Sequence, residues 1–198
     1  MILTLDVENT VTKRNDKMHL DPFEPDNTLV MVGMLDDCGN ETIVTFDHSE
    51  QQPTTDGFRT VQDALDNTQL LIAHNAPHDL LWLWESGFKY DGKVFDTMLG
   101  EYILQRGQKE PLSLDACAQR YELDTQKQDT LKEYFKKGYS TRDIPHDELS
   151  TYLSADLRAT QQLYCKIKAQ LDAMPTLWPT AYLTFDLCLC LARIYQRG

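Results

Sequence analysis

Met1-Ile2-Leu3-Thr4-Leu5-Asp6-Val7-Glu8-Asn9-Thr10 opens the chain with an apolar, β-type run that carries two carboxylates at its carboxyl end. Side chains on a strand alternate between faces, so Asp6 and Glu8 project from the same side, about 6–7 Å apart along the strand. Two like charges held that close call for a cation between them, and hard divalent ions take oxygen ligands of this kind. The plainer alternative ends the strand at Leu5 and leaves the acids in a solvated turn. In a chain with 31 Asp and Glu, an isolated Asp-x-Glu pattern does not choose between the two.

Composition narrows the setting. The 198 residues, 41% hydrophobic and 25% charged, suit one substantial soluble domain with its own core. The chain enters a strand at once, without a basic leader or a long apolar segment. Neither a signal peptide nor a membrane partner is expected, and the cytoplasm is the expected location. Cys38, Cys117, Cys165, Cys188 and Cys190 lie in apolar or helical settings without C-x-x-C spacing, and are expected to be buried free thiols. The net charge of −12 excludes a strongly basic nucleic-acid-binding face. If the substrate is nucleic acid, binding is weak and assisted by something attached or associated, with bound divalent cations offsetting acids locally.

Following the first strand, residues 11–27 read as a long loop rich in Lys, Asp, Asn and Pro, a length that often marks function. Residues 28–35 and 41–46 read as strands joined by a turn, completing an antiparallel meander with the first. Helical spacing over 57–67 leads into a short apolar strand at 69–73. In His74-Asn75-Ala76-Pro77-His78-Asp79, Pro77 suits the first turn of a helix, and Gly87 suits its end. Asp79 then lies just past the carboxyl end of a strand, within reach of the first strand, although a helix N-terminal acid favoured by the dipole reads the same way. His74 and His78 have i, i+4 spacing, but Pro77 and the junction spoil that geometry for a metal, leaving structural or substrate-contacting roles. Asp96 follows a short strand at 93–95 and is expected to cap the next helix or support the sheet edge. A helix begun by Ser113 follows.

Lys127, Lys132, Lys136 and Lys137, with Tyr134, form a locally basic stretch that fits either a phosphate backbone or a solvated helix face. A long helix then runs from near Pro145 to about Ala173. It sets Tyr152 and Asp156 one turn apart on one face, as a hydrogen-bonded core pair or as part of a site. Strands in the first half and helices packed on them predict an α/β fold with a mixed sheet.

Taken together, LDVENT (5–10), NTLVMVG (27–33), AHNAPHDLLWL (73–83), FDTML (95–99), SLDACAQRY (113–121) and YLSADLRAT (152–160) resemble the DEDDy branch of the DnaQ-like 3′→5′ exonucleases. The likeness is greatest to the proofreading domain of family A DNA polymerases, particularly phage-type ones, and covers about residues 1–172. It implies an RNase H-like fold: a five-stranded mixed sheet, three strands in antiparallel meander plus parallel strands, flanked by helices. It also implies that Asp6, Glu8, Asp79 and Asp156 hold two Mg²⁺ or Mn²⁺ ions and that Tyr152 orients the attacking water. Phosphodiester hydrolysis needs a hydroxide at neutral pH and relief of charge on the leaving oxygen, which a pair of ions about 3.5–4 Å apart supplies. A phenol of ordinary pKa is a weak base at pH 7, so Tyr152 is assigned to positioning.

Matched positions also place His74 and Asn75 at the floor of the site, and Asn9 and Thr10 near the terminal nucleotide. His78 departs from the Phe that the branch often carries. The expected division is residues 1–174 as exonuclease and 175–198 as an apolar helix leading to a polymerase domain or a partner. The implied substrate is the 3′ end of single-stranded DNA, released as 5′-mononucleotides. Competing readings are a ribonuclease D-like RNA trimming enzyme with the same acids, and a catalytically silent DEDD-fold binding module. No G-x-G-x-x-G follows the first strand, which disfavours a dinucleotide-binding enzyme.

Overall fold

A computed structural model describes residues 1–15, 17–124 and 130–198. In chain order the strands and helices are β1 (Ile2–Asn9), β2 (Thr12–Arg14), β3 (Lys17–His19), β4 (Leu29–Asp36), β5 (Glu41–Thr45), α1 (Gly57–Asp66), β6 (Leu70–Ala73), α2 (Ala76–Glu85), β7 (Lys93–Asp96), α3 (Thr97–Gln105), α4 (Leu114–Arg120), α5 (Thr130–Lys136), α6 (His146–Ala173) and α7 (Trp178–Arg197). The main sheet has five strands in the order β5-β4-β1-β6-β7. β1 pairs antiparallel with β4 and parallel with β6, and β6 pairs parallel with β7. The opening strand is therefore central, with a strand on each side. An apolar run such as Ile2–Leu5 suits burial from both faces.

Each face of the sheet has its own core. Leu3, Leu5 and Val7 pack with Leu80, Trp82 and Leu83 of α2. On the other side, Val30 and Met31 of β4 pack with Leu149 and Leu153 of α6, while Ile72 and Phe95 pack with Leu163, Ile167 and Leu171 farther along the same helix. α6 thus crosses the sheet from β4 toward β7, and the α6 range matches the 3.6-residue periodicity read from its leucines.

One glycine permits that crossing. Gly33 pairs with Asp6 across the β1–β4 ladder. A Cβ at position 33 would lie 2.8 Å from both Leu153 Cγ and Leu157 Cδ1. The bare backbone lets these leucines reach the sheet, and the residue before each of them is Tyr152 or Asp156.

Several expectations need correction. Residues 11–27 are not simply a loop: β2 and β3 form an antiparallel hairpin with Thr12 opposite His19 and Arg14 opposite Lys17. Its strands are too short to show an alternating pattern. The five cysteines are free thiols, but only Cys117 is buried; Cys38, Cys165 and Cys190 are exposed and Cys188 is intermediate. Apolar neighbours in sequence do not reveal which side of a helix a residue occupies. Of the basic stretch, Lys136 and Lys137 are exposed, while Lys127 and the side chain of Lys132 lie outside the described residues.

α7 packs one side onto the domain through Ala181 and Phe185, with Phe185 and Phe95 ring centroids 4.8 Å apart. Its other side exposes Leu183, Leu187, Leu191 and Ile194. Among the described residues, Pro175–Arg197 is long and apolar enough to cross a membrane by length and composition.

Filling the space above Gly33 must push α6 off the sheet. Gly33→Val is expected to cost about 1–3 kcal/mol, the usual penalty for overpacking a filled core. Denaturant unfolding measures it, and a variant as stable as its parent would contradict this seating of α6.

Candidate active site

The candidate site forms at the carboxyl ends of β1 and β6, where the sheet changes from antiparallel to parallel neighbours. Open α/β sheets commonly bind ligands at such a point. β1 presents Asp6 and Glu8 as half-buried neighbours on one face, as the period of two requires. The chain then turns from β6 into α2 through Asn75, whose φ of 70° and ψ of 51° are left-handed. Asn tolerates that conformation better than most side chains, which gives a local reason for Asn at this junction. With Pro77 in the first turn of α2, the junction turns Asp79 back toward β1.

Asp79 is 2% exposed, and its Oδ1 accepts the Val7 backbone N–H at 3.2 Å. Burial pushes this carboxyl well above the ordinary range, and the negative charges of Asp6 and Asp96 push it further, against the pull of the Val7 N–H. From the opposite face, α6 brings Tyr152 and Asp156. Burial raises the Tyr152 phenol first, followed by the charges of Asp156 and Glu8; its hydroxyl also donates to the Asp156 carboxylate, and Asp6 adds to the shift. The five residues expected at the site are thus gathered from β1, α2 and α6. A phenol raised in this way keeps its proton at neutral pH, which suits positioning and not proton abstraction.

Asp96 holds the framework of this corner. Its carboxylate accepts four backbone N–H groups: Asn75 at 3.2 Å, Ala76 at 3.0 Å, Met98 at 2.9 Å and Leu99 at 3.2 Å. It caps α3 as expected and also ties down the start of α2, the helix that carries Asp79. Burial raises its own pKa while these donors oppose the shift. The tie to α2 was not visible in the sequence, because it joins residues about twenty positions apart.

The remaining site candidates are largely hydrogen-bonded within the protein. Asn9 is 7% exposed; its Nδ2 donates to the Thr10 carbonyl at 2.7 Å, and its Oδ1 lies 2.9 Å from His78 Nε2. Thr10 Oγ1 accepts the Thr28 N–H at 2.7 Å. His74 Nδ1 lies 2.9 Å from Thr97 Oγ1, and Nε2 lies 2.9 Å from the Leu112 carbonyl. His78 is desolvated, which lowers its pKa and favours the neutral ring. Asn75 is exposed at the mouth of the corner.

The donor set suits a hard divalent cation: carboxylate oxygens converge, and the charges that perturb Asp79 and Tyr152 are those of other acids. Asp6, Glu8, Asp79 and Asp156 could hold such ions. A second acidic group, Asp36, Asp37 and Cys38, lies at the exposed β4–β5 turn. There Asp36 already accepts N–H groups from Cys38 and Asn40, as a turn requires.

Comparison with known proteins agrees with this geometry. The sequence model of a family described as 3′-5′ exonuclease matches residues 17–172. DNA polymerase I of Synechocystis sp. is 32% identical over 106 residues, 54% of this chain; the chain spans only 10% of that protein's length. Among solved structures, Brucella melitensis NrnC with bound Mg²⁺ superposes with a TM-score of 0.67 at 16% identity, covering 100% of this chain and 86% of that one. NrnC bound to pGG gives 0.69 at 16% identity, covering 100% and 85%. The family B DNA polymerase of Pyrobaculum calidifontis gives 0.56 at 16% identity over 84% of this chain and 24% of that one. The fold is the RNase H-like fold of these nucleases.

A raised carboxyl pKa fixes the direction of a pH effect. The folded state holds the Asp79 proton more tightly than the unfolded chain does. Its contribution to metal-free stability is therefore fully present below the ordinary value of 3.8 and is lost as pH rises through the folded-state pKa. Asp79→Asn keeps an oxygen for Val7 and should raise the metal-free Tm at neutral pH, with the gain vanishing near about pH 4. The same change should abolish the Tm increase that Mg²⁺ or Mn²⁺ gives the parent. Thermal unfolding in EDTA at the two pH values, and with metal added, checks both.

Proposed function

This chain belongs to the 3′-5′ exonuclease family, and from that premise we propose that it is a DEDDy-type, two-metal-ion enzyme. On this reading it removes nucleotides from the 3′ end of single-stranded DNA as 5′-mononucleotides, proofreading for a DNA polymerase. The observation that carries the proposal is the convergence of Tyr152 and Asp156 from α6 on Asp6 and Glu8 from β1. A silent binding module has no need for that constellation.

In the proposed mechanism, Asp6, Glu8, Asp79 and Asp156 hold the ions. When bound, a pair of Mg²⁺ or Mn²⁺ supplies a hydroxide-like nucleophile at neutral pH and relieves the charge that develops on the leaving 3′ oxygen. Asp79 must release its proton for the site to load, so loading weakens as pH falls. Tyr152 keeps its own proton, anchors on Asp156 and orients the attacking water. Asn75 and His78 line the approach of the terminal nucleotide. Asn9, Thr10 and His74 contribute by keeping the walls of the site in place.

The fusion or association with a polymerase is likewise a proposal. It is supported by the similarity to DNA polymerase I and by the exposed apolar side of α7. Residues 1–174 would form the exonuclease, and 175–198 the segment that docks on or leads to the polymerase. The cytoplasm is the proposed location, that of the host if the gene belongs to a phage. A ribonuclease D-like activity on RNA 3′ ends is the second reading, favoured by the similarity to NrnC along the whole of this chain.

Digestion of 5′-labelled DNA and RNA of equal sequence separates these readings. The expected result is a ladder from the 3′ end, faster on DNA, that requires Mg²⁺ or Mn²⁺ and is absent in EDTA. Faster loss of RNA would favour the second reading, and digestion in excess EDTA would overturn the metal mechanism. Asp6→Ala combined with Glu8→Ala should abolish activity. Tyr152→Phe should lower kcat about 10–100-fold, the usual range for a group that orients a metal site's chemistry from beside it, and should leave metal-induced thermal stabilisation intact.

A further inference from the structure

The β2–β3 hairpin stands at the end of the catalytic strand, and none of the roles above uses it. Only Thr10 and Val11 separate β1 from β2, so the hairpin begins about 10 Å beyond Glu8 at strand spacing. It is also held to the site. Asn9 Nδ2 and Trp82 Nε1 both approach the Leu20 carbonyl, at 3.4 and 3.0 Å. Asn27 Nδ2 donates to the carbonyls of His19 and Asp21 at 2.9 and 3.0 Å, while its Oδ1 accepts from Thr12 Oγ1 at 2.8 Å. The hairpin is therefore fixed relative to β1 and α2, the two elements that carry Glu8 and Asp79.

Its surface differs from the rest of the molecule. In a chain of net charge −12, residues 12–19 contain Lys13, Arg14 and Lys17 against the single acid Asp16. Glu24 pairs with Arg14 at 2.6 Å, leaving Lys13 and Lys17 as exposed cations of the hairpin strands. Beside them, Met18 (59%), Leu20 (51%) and Phe23 (40%) expose large apolar surfaces. Cations next to apolar and aromatic side chains match the two faces of a single nucleic-acid strand, phosphates and bases.

We propose that this hairpin is the track for the single strand upstream of the scissile bond, with Lys13 and Lys17 meeting phosphates and Met18, Leu20 and Phe23 meeting bases. The proposal rests on the exonuclease reading and adds to it a source of affinity for longer substrates. The hairpin lies beyond the terminal nucleotide, so it acts on a long strand and not on a dinucleotide.

The test compares the parent with Lys13→Glu plus Lys17→Glu, and with the neutral pair Lys13→Gln plus Lys17→Gln. Substrates are a dinucleotide and a single strand of about a dozen nucleotides, within the footprint of a small strand-binding surface. For the long strand, KM is expected to rise about tenfold in the Glu pair and less in the Gln pair, with kcat unchanged. Dinucleotide cleavage should match the parent. Each phosphate contact on a single strand contributes about 0.7 to the slope of log K against log salt, so losing two contacts should flatten that slope by about 1.4. Anisotropy of a labelled strand in EDTA reads the same comparison without turnover. Unchanged KM and salt slope on the long strand would overturn the hairpin's role while leaving the exonuclease reading intact. An equal loss on the dinucleotide would also overturn it, by revealing a structural effect. A parent that binds the strand but cuts neither substrate would sink the exonuclease reading and leave the hairpin to be judged on binding.

Discussion

The carboxylate of Asp79 is buried at the junction of two elements from opposite ends of the first half of the chain, and its one bond to β1 comes from the Val7 N–H. Burying an ionised group costs several kcal/mol unless partners compensate. Here the nearby charges of Asp6 and Asp96 increase that cost. The fold tolerates the arrangement because Asp96 draws four backbone N–H groups onto itself and fixes the starts of α2 and α3. Without that tie, α2 would be free to turn its first-turn acid toward solvent. The site is thus a local conflict kept in place by rigid surroundings, as expected where a protein awaits a ligand of opposite charge.

The second half of the site depends on distance. α6 must pass close enough over β1 and β4 for Tyr152 and Asp156 to meet Asp6 and Glu8, and Gly33 makes room for the leucines that bring it there. The same residue faces Asp6 across the ladder. Backbone pairing, helix seating and side-chain convergence therefore share one position. Tyr152 gains a fixed orientation from Asp156, and desolvation keeps its proton in place. Geometry and protonation state point to the same role.

Much of this was legible in the sequence, for reasons that differ by residue. The alternation Leu5, Asp6, Val7, Glu8 gives the shared face of the two acids directly. Pro77 and the leucines after it give the helix that carries Asp79, and the spacing of α6 gives its long range and the common face of Tyr152 and Asp156. What stayed hidden depends on contacts between distant segments. Nothing local marks Gly33 as the seat of α6, and nothing within FDTML shows that Asp96 also caps the helix begun twenty residues earlier. Exposure of Cys165 and Cys190 depends on which face of a long helix meets the sheet. The hairpin at Thr12–His19 was missed because its strands pair over only three residues each.

The acidity of the chain and a nucleic-acid substrate can be reconciled by separating long-range from local electrostatics. At physiological ionic strength, exposed charges farther apart than about 8 Å are largely screened from one another. A net charge of −12 therefore weakens encounter with a polyanion more than it weakens contacts already formed. What matters at close range is the sign of the charge where the strand lies. Divalent ions would neutralise the acids that β1, α2 and α6 bring together, and Lys13 and Lys17 supply positive charge on the side from which β1 arrives. An enzyme built this way holds a strand end briefly and lets it go, which suits occasional editing better than tight binding. On the polymerase reading, the partner seated on the exposed side of α7 provides the lasting grip on DNA, and the acidic domain needs only enough affinity to capture a frayed end.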